Sequence, residues 1–157
     1  MRIAPDSEIL VRSPCVMRGY LDDPAATAEA VDADGWLHTG DLGVIDAGGR
    51  LRILGRKKDM FIVGGFNAYP AEIEGFLLEH PAVAQAAVIG VPDERLGQVG
   101  KAFVVLTAQA GAAPVTPEDL ITWSRTRMAG YKVPRTVQFL DALPLNATGK
   151  VMKDQLR

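Results

Sequence analysis

Short runs of hydrophobic residues separated by turn residues occupy the first third of the chain. The runs Glu8–Arg12, Leu42–Asp46 and Arg50–Leu54 predict β-strands, because each is too short for a helix. Residues 46–49, Asp-Ala-Gly-Gly, separate the last two runs and predict a hairpin turn. Residues 22–31 have an acidic start, a proline near the first helical position and several alanines, and they therefore predict a short helix.

The pattern changes after residue 56, where predicted strands alternate with predicted helices. Apolar runs predict strands at Met60–Val63, Val83–Val91, Lys101–Thr107 and Thr136–Leu140. One helix is predicted from Pro70 to residue 80, since proline fits the first helical position and the residue before a proline disfavours helical backbone. A second helix is predicted from a threonine cap at residue 116 to about residue 130. Loops are predicted at residues 92–100 and 111–114.

With 157 residues, the chain has the length of about one domain, and its 48% hydrophobic and 23% charged residues are typical of a globular protein. The net charge of −2 gives no electrostatic reason to expect binding to nucleic acid or to an anionic membrane. No apolar run approaches the roughly 20 residues that cross a bilayer, and the first residues lack the apolar core of a secretion signal. Cys15 is the single cysteine, which excludes an internal disulfide and is expected of a cytoplasmic protein.

The twenty residues from Gly55 to Glu74 combine several features that favour contact with a ligand. A basic cluster and one carboxylate precede a short apolar run, the glycine pair Gly64–Gly65 and a helix start at Pro70. Two adjacent glycines indicate close approach of the backbone to another group, or left-handed backbone angles, or both. An ordinary strand, turn and helix with a solvated basic edge would contain the same residues, so the pattern alone leaves both interpretations open.

Two charged residues are candidates for binding a sugar. Asp41 ends the sequence Gly-Trp-Leu-His-Thr-Gly-Asp, and a carboxylate suits a vicinal diol because its two oxygens accept from two hydroxyls at once. Thr-Gly-Asp is also a common turn sequence. Arg56 begins a basic run, and such a run is equally typical of an exposed surface. The sequence offers His38 no partner, and we assign it a structural role.

Two segments near the end of the chain contain further candidates. Residues 131–135, Tyr-Lys-Val-Pro-Arg, contain a ring that can stack on a base and cations that can hold a phosphate. The same segment is typical of a helix C-terminus, which basic residues favour and proline ends. Lys150 follows Asn-Ala-Thr-Gly, and taken by itself it is typical of an exposed lysine after a turn.

The stretch Gly55–Glu74 closely resembles the hinge segment of the adenylate-forming enzymes, which include acyl- and aryl-CoA synthetases, firefly luciferase and the adenylation domains of peptide synthetases. Its Lys-Lys-Asp and Gly-Gly-Phe-Asn-Ala-Tyr-Pro-Ala-Glu-Ile-Glu are similar to the acyl-CoA synthetase branch. The resemblance implies an α+β fold. Residues 1–56 would be the β-rich end of a large adenylation domain, with a hinge at 56–59, and residues 57–157 a small C-terminal lid domain with a three-stranded sheet covered by helices.

The resemblance also implies a role for each candidate residue. Asp41 and Arg56 would bind the ribose of the nucleotide, Lys58 would be the hinge, and Lys150 would be the catalytic lysine of adenylation. The implied CoA-binding residues are Gly64, Gly65, Tyr131 and Arg135. Val133 departs from some relatives, which have a basic residue at its position. No residue is expected to bind a metal, because Mg²⁺ is held mainly by the phosphates of ATP.

The implied function is ATP-dependent acyl-CoA synthesis, in which a carboxylic acid and ATP give an acyl-adenylate and pyrophosphate, and CoA then gives acyl-CoA and AMP. The expected partners are a small carboxylic acid, ATP, CoA and the enzyme's own N-terminal domain. The sequence shows no phosphate-binding loop and no acyl pocket, so we expect a C-terminal portion that is inactive alone. An adenylating ligase that loads a carrier protein and a stand-alone non-enzymatic binding module stay open as alternatives. The glycine pair and Tyr131 favour the CoA ligase.

Overall fold

The chain divides into two compact units, Met1–Lys58 and Asp59–Arg157. The computed structural model describes residues 1–108 and 115–157, and the loop predicted at residues 111–114 lies outside them. Helices and sheets are both present, which confirms the α+β fold class. The division into units falls inside the predicted hinge, residues 56–59. None of the helices in the described residues is long and apolar enough to cross a membrane.

A four-stranded antiparallel sheet forms the first unit, and its strands pair in the order in which they occur along the chain. The elements of this unit are β1 Arg2–Ile3, β2 Glu8–Val11, α1 Pro24–Ala30, β3 Leu37–Ile45 and β4 Leu51–Arg56. The buried apolar side chains of this unit are Ile9, Leu10 and Leu42. The three strands and the helix predicted here are confirmed, and β3 is longer than predicted because it includes the polar segment 38–41.

Local capping explains where helix α1 begins. The Asp23 side chain accepts a hydrogen bond from the Ala26 backbone N–H at 2.9 Å, and Pro24 occupies the first helical position. Both features satisfy or remove backbone N–H groups that have no partner inside a helix. The helix therefore begins at Pro24, two residues after the start of the predicted range 22–31.

The second unit contains a five-stranded sheet, so the prediction of three strands in this domain is wrong in number. Within the described residues, its elements are β5 Phe61–Val63, β6 Phe66–Ala68, α2 Pro70–Leu78, β7 Val83–Asp93, β8 Gly97–Leu106, α3 Pro117–Arg125, β9 Thr136–Phe139 and a 3-10 helix at Lys153–Leu156. The pairing order is β6-β5-β8-β7, and β9 pairs in parallel with β8 while the other pairs are antiparallel.

The glycine pair forms the turn of a tight hairpin between β5 and β6. Val63 pairs with Phe66 across this turn, and Gly64 and Gly65 have φ angles of +55° and +87°. These left-handed angles disfavour residues with a Cβ, which explains why glycine occupies both positions. Of the explanations offered for the glycine pair, left-handed backbone angles are therefore confirmed.

Strands β7 and β8 are longer than predicted, and the loop predicted at residues 92–100 is wrong. The two strands pair from Val83 opposite Leu106 to Asp93 opposite Gly97, so only three residues separate them. Pro92 lies inside β7, where it is tolerated because β7 is an edge strand and one of its sides needs no hydrogen-bond donor.

Helix α3 ends at Arg125, and the prediction that it continues to about residue 130 is wrong. A capping box at Thr116 and Asp119 fixes its start as predicted. At its end, the Thr126 side-chain hydroxyl donates to the Trp123 carbonyl at 2.8 Å, and the next residues continue as turns. Threonine side chains that bond the backbone in this way compete with helix continuation.

The helices and the C-terminal segment belong to two separate apolar clusters. Ile73 and Leu77 of α2 and Leu120 of α3 pack in one cluster with Val88 and Val104 of the sheet. A second cluster contains the sheet residues Ala87, Ile89 and Phe103 together with Leu143 and Leu156 from the C-terminal segment. Since neighbouring strand residues point to opposite faces, Val88 and Ile89 place the two clusters on opposite sides of the sheet. The prediction of a sheet covered by helices is confirmed for the α2 and α3 side.

Limited proteolysis should cleave the chain at the division between the two units. Lys58 is exposed and ends the first unit, so trypsin is expected to cut after it and to leave residues 59–157, which have the larger core. Digestion followed by mass spectrometry checks this. Lys58→Gln is the matched control, because it should shift the tryptic cut to Arg56 or Lys57 while subtilisin still cleaves within residues 56–59. A single resistant core that spans both units would contradict the prediction.

Candidate functional site

Asp41 and Arg56 are direct cross-strand neighbours in β3 and β4. The Arg56 Nε atom lies 2.9 Å from Asp41 Oδ1, and the exposed fractions of the two side chains are 55% and 29%. The Asp41 backbone N–H donates to the Thr39 hydroxyl at 3.1 Å, and that hydroxyl donates to the Ile9 carbonyl at 2.8 Å. The pairing of β3 with β4 and the hydrogen bonds of Thr39 hold a carboxylate and a guanidinium side by side at the surface, where both are accessible to a ligand.

A buried carboxylate lies behind this pair. Glu8 is 5% exposed and accepts hydrogen bonds from the Gly40 N–H at 3.0 Å and from Lys57 Nζ at 3.1 Å. His38 Nδ1 also lies 3.1 Å from Glu8 Oε2. Burial raises the pKa of Glu8, but these hydrogen bonds outweigh burial and leave the pKa below its usual value. Glu8 thus fixes the strand backbone immediately before Asp41.

His38 does have a partner, which corrects the sequence-based statement that it has none. Besides its contact with Glu8, His38 Nε2 lies 3.8 Å from Asp32 Oδ2. Asp32 in turn accepts from the Trp36 backbone N–H at 2.8 Å. The structural role assigned to His38 agrees with these contacts, because both link strand β3 to neighbouring segments.

Lys57 joins the same network from the other side. Its Nζ atom lies 2.7 Å from Asp6 Oδ2, and the hydrogen bonds to Asp6 and Glu8 raise the pKa of Lys57. The following residue, Lys58, is exposed and makes no ion pair within the described residues. Sequence reasoning missed both Glu8 and Lys57, since no local signal links residues that are 49 positions apart.

The second unit brings three of the predicted CoA-binding residues together. Phe66, directly after Gly64 and Gly65, stacks on Tyr131 with ring centroids 5.0 Å apart and an interplanar angle of 21°. Phe66 is 60% exposed, so the aromatic pair is accessible. Sequence analysis missed Phe66, although an aromatic residue directly after a glycine pair could have indicated an exposed contact site.

The two glycines differ in the space around them. A Cβ atom at Gly64 would lie 3.2 Å from Leu96 Cδ2, whereas a Cβ atom at Gly65 would meet no atom within 4 Å. The backbone at Gly65 therefore faces open space. A thin, flexible chain can lie against that backbone without meeting a side chain.

Arg135 lies in a different part of this unit. It lines a cleft of about 450 Å³ between α3 and the segment that follows it, together with Arg125, Ile121, Gly130, Val133 and Pro134. Its backbone N–H donates to the Gly100 carbonyl at 2.8 Å, which ties the segment to β8. Val133 is only 7% exposed and packs inward, so Arg125 is the second cation of this cleft. Lys132 is held elsewhere, because its Nζ lies 2.7 Å from Glu72.

Lys150 lies in a short closed loop between Leu145 and Val151, which form a β-bridge. Its backbone N–H donates to the Asn146 side chain at 2.9 Å, and its carbonyl accepts from the Asn146 N–H at 2.9 Å. Val151 packs against the second apolar cluster, and Lys153 Nζ lies 2.6 Å from Glu74 on α2. The loop is thus fixed at its base, while the Lys150 side chain is exposed.

The site residues form separate groups. Asp41 pairs with Arg56, and Gly64, Gly65 and Tyr131 meet through Phe66. Within residues 1–108 and 115–157, the Lys150 side chain makes no ion pair or hydrogen bond. In the same residues, no group of three or more His, Cys, Asp and Glu side chains is arranged to hold a metal ion.

Residues 72–150 match the model of the AMP-binding enzyme C-terminal domain. The match covers about half of the chain, and the chain therefore belongs to this family. The resemblance to adenylate-forming enzymes drawn from Gly55–Glu74 is confirmed.

Curated relatives are CoA ligases. The chain is 57% identical over 157 residues to the 3-[(3aS,4S,7aS)-7a-methyl-1,5-dioxo-octahydro-1H-inden-4-yl]propanoyl:CoA ligase of Mycobacterium tuberculosis, which is 100% of this chain and 30% of that protein. It is 47% identical over 150 residues to the long-chain-fatty-acid–CoA ligase of Escherichia coli O157:H7, which is 96% of this chain and 26% of that protein. The chain thus spans less than a third of the length of these relatives.

Solved structures of similar fold include adenylate-bound and ATP-bound enzymes. One is the o-succinylbenzoate CoA synthetase of Bacillus subtilis in complex with its acyl-adenylate intermediate, with a TM-score of 0.87 and 43% identity, covering 96% of this chain and 30% of that chain. Another is ATP-bound MatB from Rhodopseudomonas palustris, with a TM-score of 0.85 and 41% identity, covering 96% and 29%.

Proposed function

We propose that the chain is the C-terminal part of an ATP-dependent acyl-CoA synthetase. The reaction converts a carboxylic acid and ATP into an acyl-adenylate and pyrophosphate, and then transfers the acyl group to CoA with release of AMP. The observation that carries this proposal is the Asp41–Arg56 pair at 2.9 Å, a carboxylate and guanidinium held together at the surface. Relatives at 45–57% identity that are named as CoA ligases or CoA synthases support the same reaction class.

In the adenylation step, Asp41 accepts hydrogen bonds from the two ribose hydroxyls of ATP, and Arg56 contacts the same ribose. Arg56 also keeps the Asp41 carboxylate oriented, because its Nε occupies one carboxylate oxygen. Lys150 carries the positive charge that offsets repulsion between the attacking carboxylate and the α-phosphate. Mg²⁺ is bound mainly by the ATP phosphates, and the N-terminal domain supplies the phosphate loop and the acid pocket.

In the thioester step, the pantetheine arm of CoA passes along the backbone at Gly65, where no side chain intervenes. Tyr131 offers its ring to the nucleotide of CoA, and Arg135 contacts a phosphate of that nucleotide. Lys58 is the hinge at which the second unit turns between the two steps. The single cysteine supports a cytoplasmic location.

The test compares this chain with the whole enzyme. The whole enzyme is the protein translated from the coding sequence of this chain together with the coding sequence upstream of it. With ATP and a panel of fatty, aromatic and sterol-derived acids, the chain alone should release no pyrophosphate above background. The whole enzyme should release it with at least one acid and should form a thioester with CoA. Turnover by the chain alone would contradict the assignment as a part of an enzyme.

The choice of acceptor separates the proposal from its main alternative. CoA and a pantetheinylated carrier protein are supplied in parallel to the whole enzyme charged with acyl-adenylate. Transfer to CoA supports the proposal, and transfer to the carrier protein alone would replace it with a carrier-loading ligase. A whole protein that neither adenylates nor transfers would be a binding module.

A further inference from the structure

A second loop in this chain has the same backbone hydrogen bonds as the loop that contains Lys150. Residues 46–50, Asp-Ala-Gly-Gly-Arg, and residues 146–150, Asn-Ala-Thr-Gly-Lys, share one pattern of backbone hydrogen bonds. In each loop the N–H of the first residue donates to the carbonyl of the fifth, at 3.0 and 2.9 Å. The N–H of the fourth residue donates to the carbonyl of the first, at 2.9 Å in both. The fourth residue is glycine in both, with φ angles of +77° and +78°.

The side chain of the first residue organises each loop in the same way. Its Oδ1 atom accepts from the backbone N–H groups of the third and fifth residues, at 2.9 and 3.0 Å for Asp46 and at 3.0 and 2.9 Å for Asn146. Asp and Asn side chains are both well suited to such turns. The near-identical distances show that either residue type builds this loop. The fifth residue, Arg50 or Lys150, has its N–H and its carbonyl fixed.

The two loops differ in the interaction between the side chain of the first residue and the cation of the fifth residue. Asp46 has a second carboxylate oxygen, which lies 2.9 Å from Arg50 Nε and forms an ion pair. Asn146 is neutral, and its Oδ1 atom accepts instead from the Thr148 hydroxyl at 2.8 Å. Within the described residues, the Lys150 ammonium has no ion-pair partner. The carboxylate of residue 46 thus supplies a pairing oxygen that the amide of residue 146 lacks, and the loops also differ at their third and fifth residues.

We propose that Asn146 is a positioning residue that fixes the backbone of Lys150 and, because it is uncharged, leaves the Lys150 ammonium unpaired for an anionic ligand. An aspartate at this position would build the same loop but would pair with the lysine, as Asp46 pairs with Arg50. The use of the unpaired lysine in adenylation rests on the proposed function, whereas the loop chemistry rests on the hydrogen bonds alone.

The first test uses the 157-residue chain and NMR. In Asn146→Asp, the amide signals of residues 147–150 should keep their dispersion, and the Lys150 side-chain Nζ and Hε chemical shifts should change because the new carboxylate pairs with the ammonium. The change should shrink in 0.5 M salt, because the pair is screened. Asn146→Ala is the structural comparison, and it should disturb the loop amides. Unchanged Lys150 side-chain shifts in an intact Asn146→Asp loop would overturn the proposal, as would loss of the loop in that variant.

The second test uses the whole enzyme and separates the two half-reactions. Asn146→Asp should slow acyl-adenylate formation by about 2- to 5-fold, in line with a weak exposed pair, and leave the thioester step unchanged. Asp46→Asn is the matched control and should leave both steps unchanged. A Lys150 ion pair seen by NMR without slower adenylation would overturn the role of Lys150 in the proposed function and leave the loop chemistry in place. The absence of both an ion pair and slower adenylation would overturn the proposal that an uncharged residue 146 keeps Lys150 unpaired.

Discussion

Replacing Lys150 by alanine in the whole enzyme is expected to slow acyl-adenylate formation by about 10²-fold or more, the size associated with one preorganised electrostatic contact. Asn146 fixes the Lys150 backbone at both its N–H and its carbonyl, so the side chain extends from a defined position. The same variant, given ready-made acyl-adenylate and CoA, should form thioester at nearly the normal rate. Pyrophosphate release measures the first step, and single-turnover thioester formation measures the second.

Arg50→Ala is the control for the Lys150 variant. It removes a cation from the same position of the equivalent loop, so it should leave both half-reactions unchanged. Lys150→Ala should also leave the melting temperature close to that of the parent, since the side chain is exposed and makes no ion pair within the described residues. Equal loss of both half-reactions would show that Lys150 acts on folding or on general binding and has no specific role in adenylation.

Replacing Gly65 by leucine should have the opposite effect, with thioester formation slowed by about 10²-fold and adenylation retained. A side chain at Gly65 projects into open space, so it would obstruct a pantetheine arm that lies along this backbone. Misplacing reacting groups by about 1 Å is enough for a loss of this size. The φ angle of +87° also strains a leucine by roughly 1–2 kcal/mol, which the assay must separate from the obstruction.

Gly49→Leu provides that separation. Gly49 has a φ angle of +77° and open space around its Cβ position, so leucine there meets the same strain at a turn outside the proposed CoA path. Both variants should lose similar stability in thermal unfolding, and only Gly65→Leu should lose thioester formation. Loss of adenylation in Gly65→Leu, or equal loss of thioester formation in both variants, would refute the proposed path.

The sequence predicted best those elements whose signals are local. Helix α3 begins where Thr116 and Asp119 form a capping box, and the turn at residues 46–49 joins β3 and β4 as expected. Strand β6 was missed because three residues, Phe-Asn-Ala, are too short to show alternation. The loop predicted at residues 92–100 failed because Pro92 and Asp93 are typical turn residues, yet an edge strand accommodates them.

The sequence identified the site residues that belong to a recognisable motif. It missed the residues that only the fold brings together. Asp41 and Arg56 were recognised by resemblance, and strand pairing gives their contact a physical cause. Glu8 could not be found in this way, because it meets Lys57 and Gly40 only after β2 and β3 have paired. Phe66 likewise gains its stacking partner Tyr131 from packing that no local pattern records.

The Glu8 network ties the end of the first unit to the strand segment beside Asp41. Lys57 is attached through its ammonium to Asp6 and Glu8, and Glu8 is itself attached to the Gly40 N–H beside Asp41. One buried carboxylate therefore contacts both the residue before Lys58 and the backbone next to the sugar-binding candidate. We propose that a hinge at Lys58 lets the chain rotate without breaking these hydrogen bonds, so that the Asp41–Arg56 pair keeps its geometry in both half-reactions.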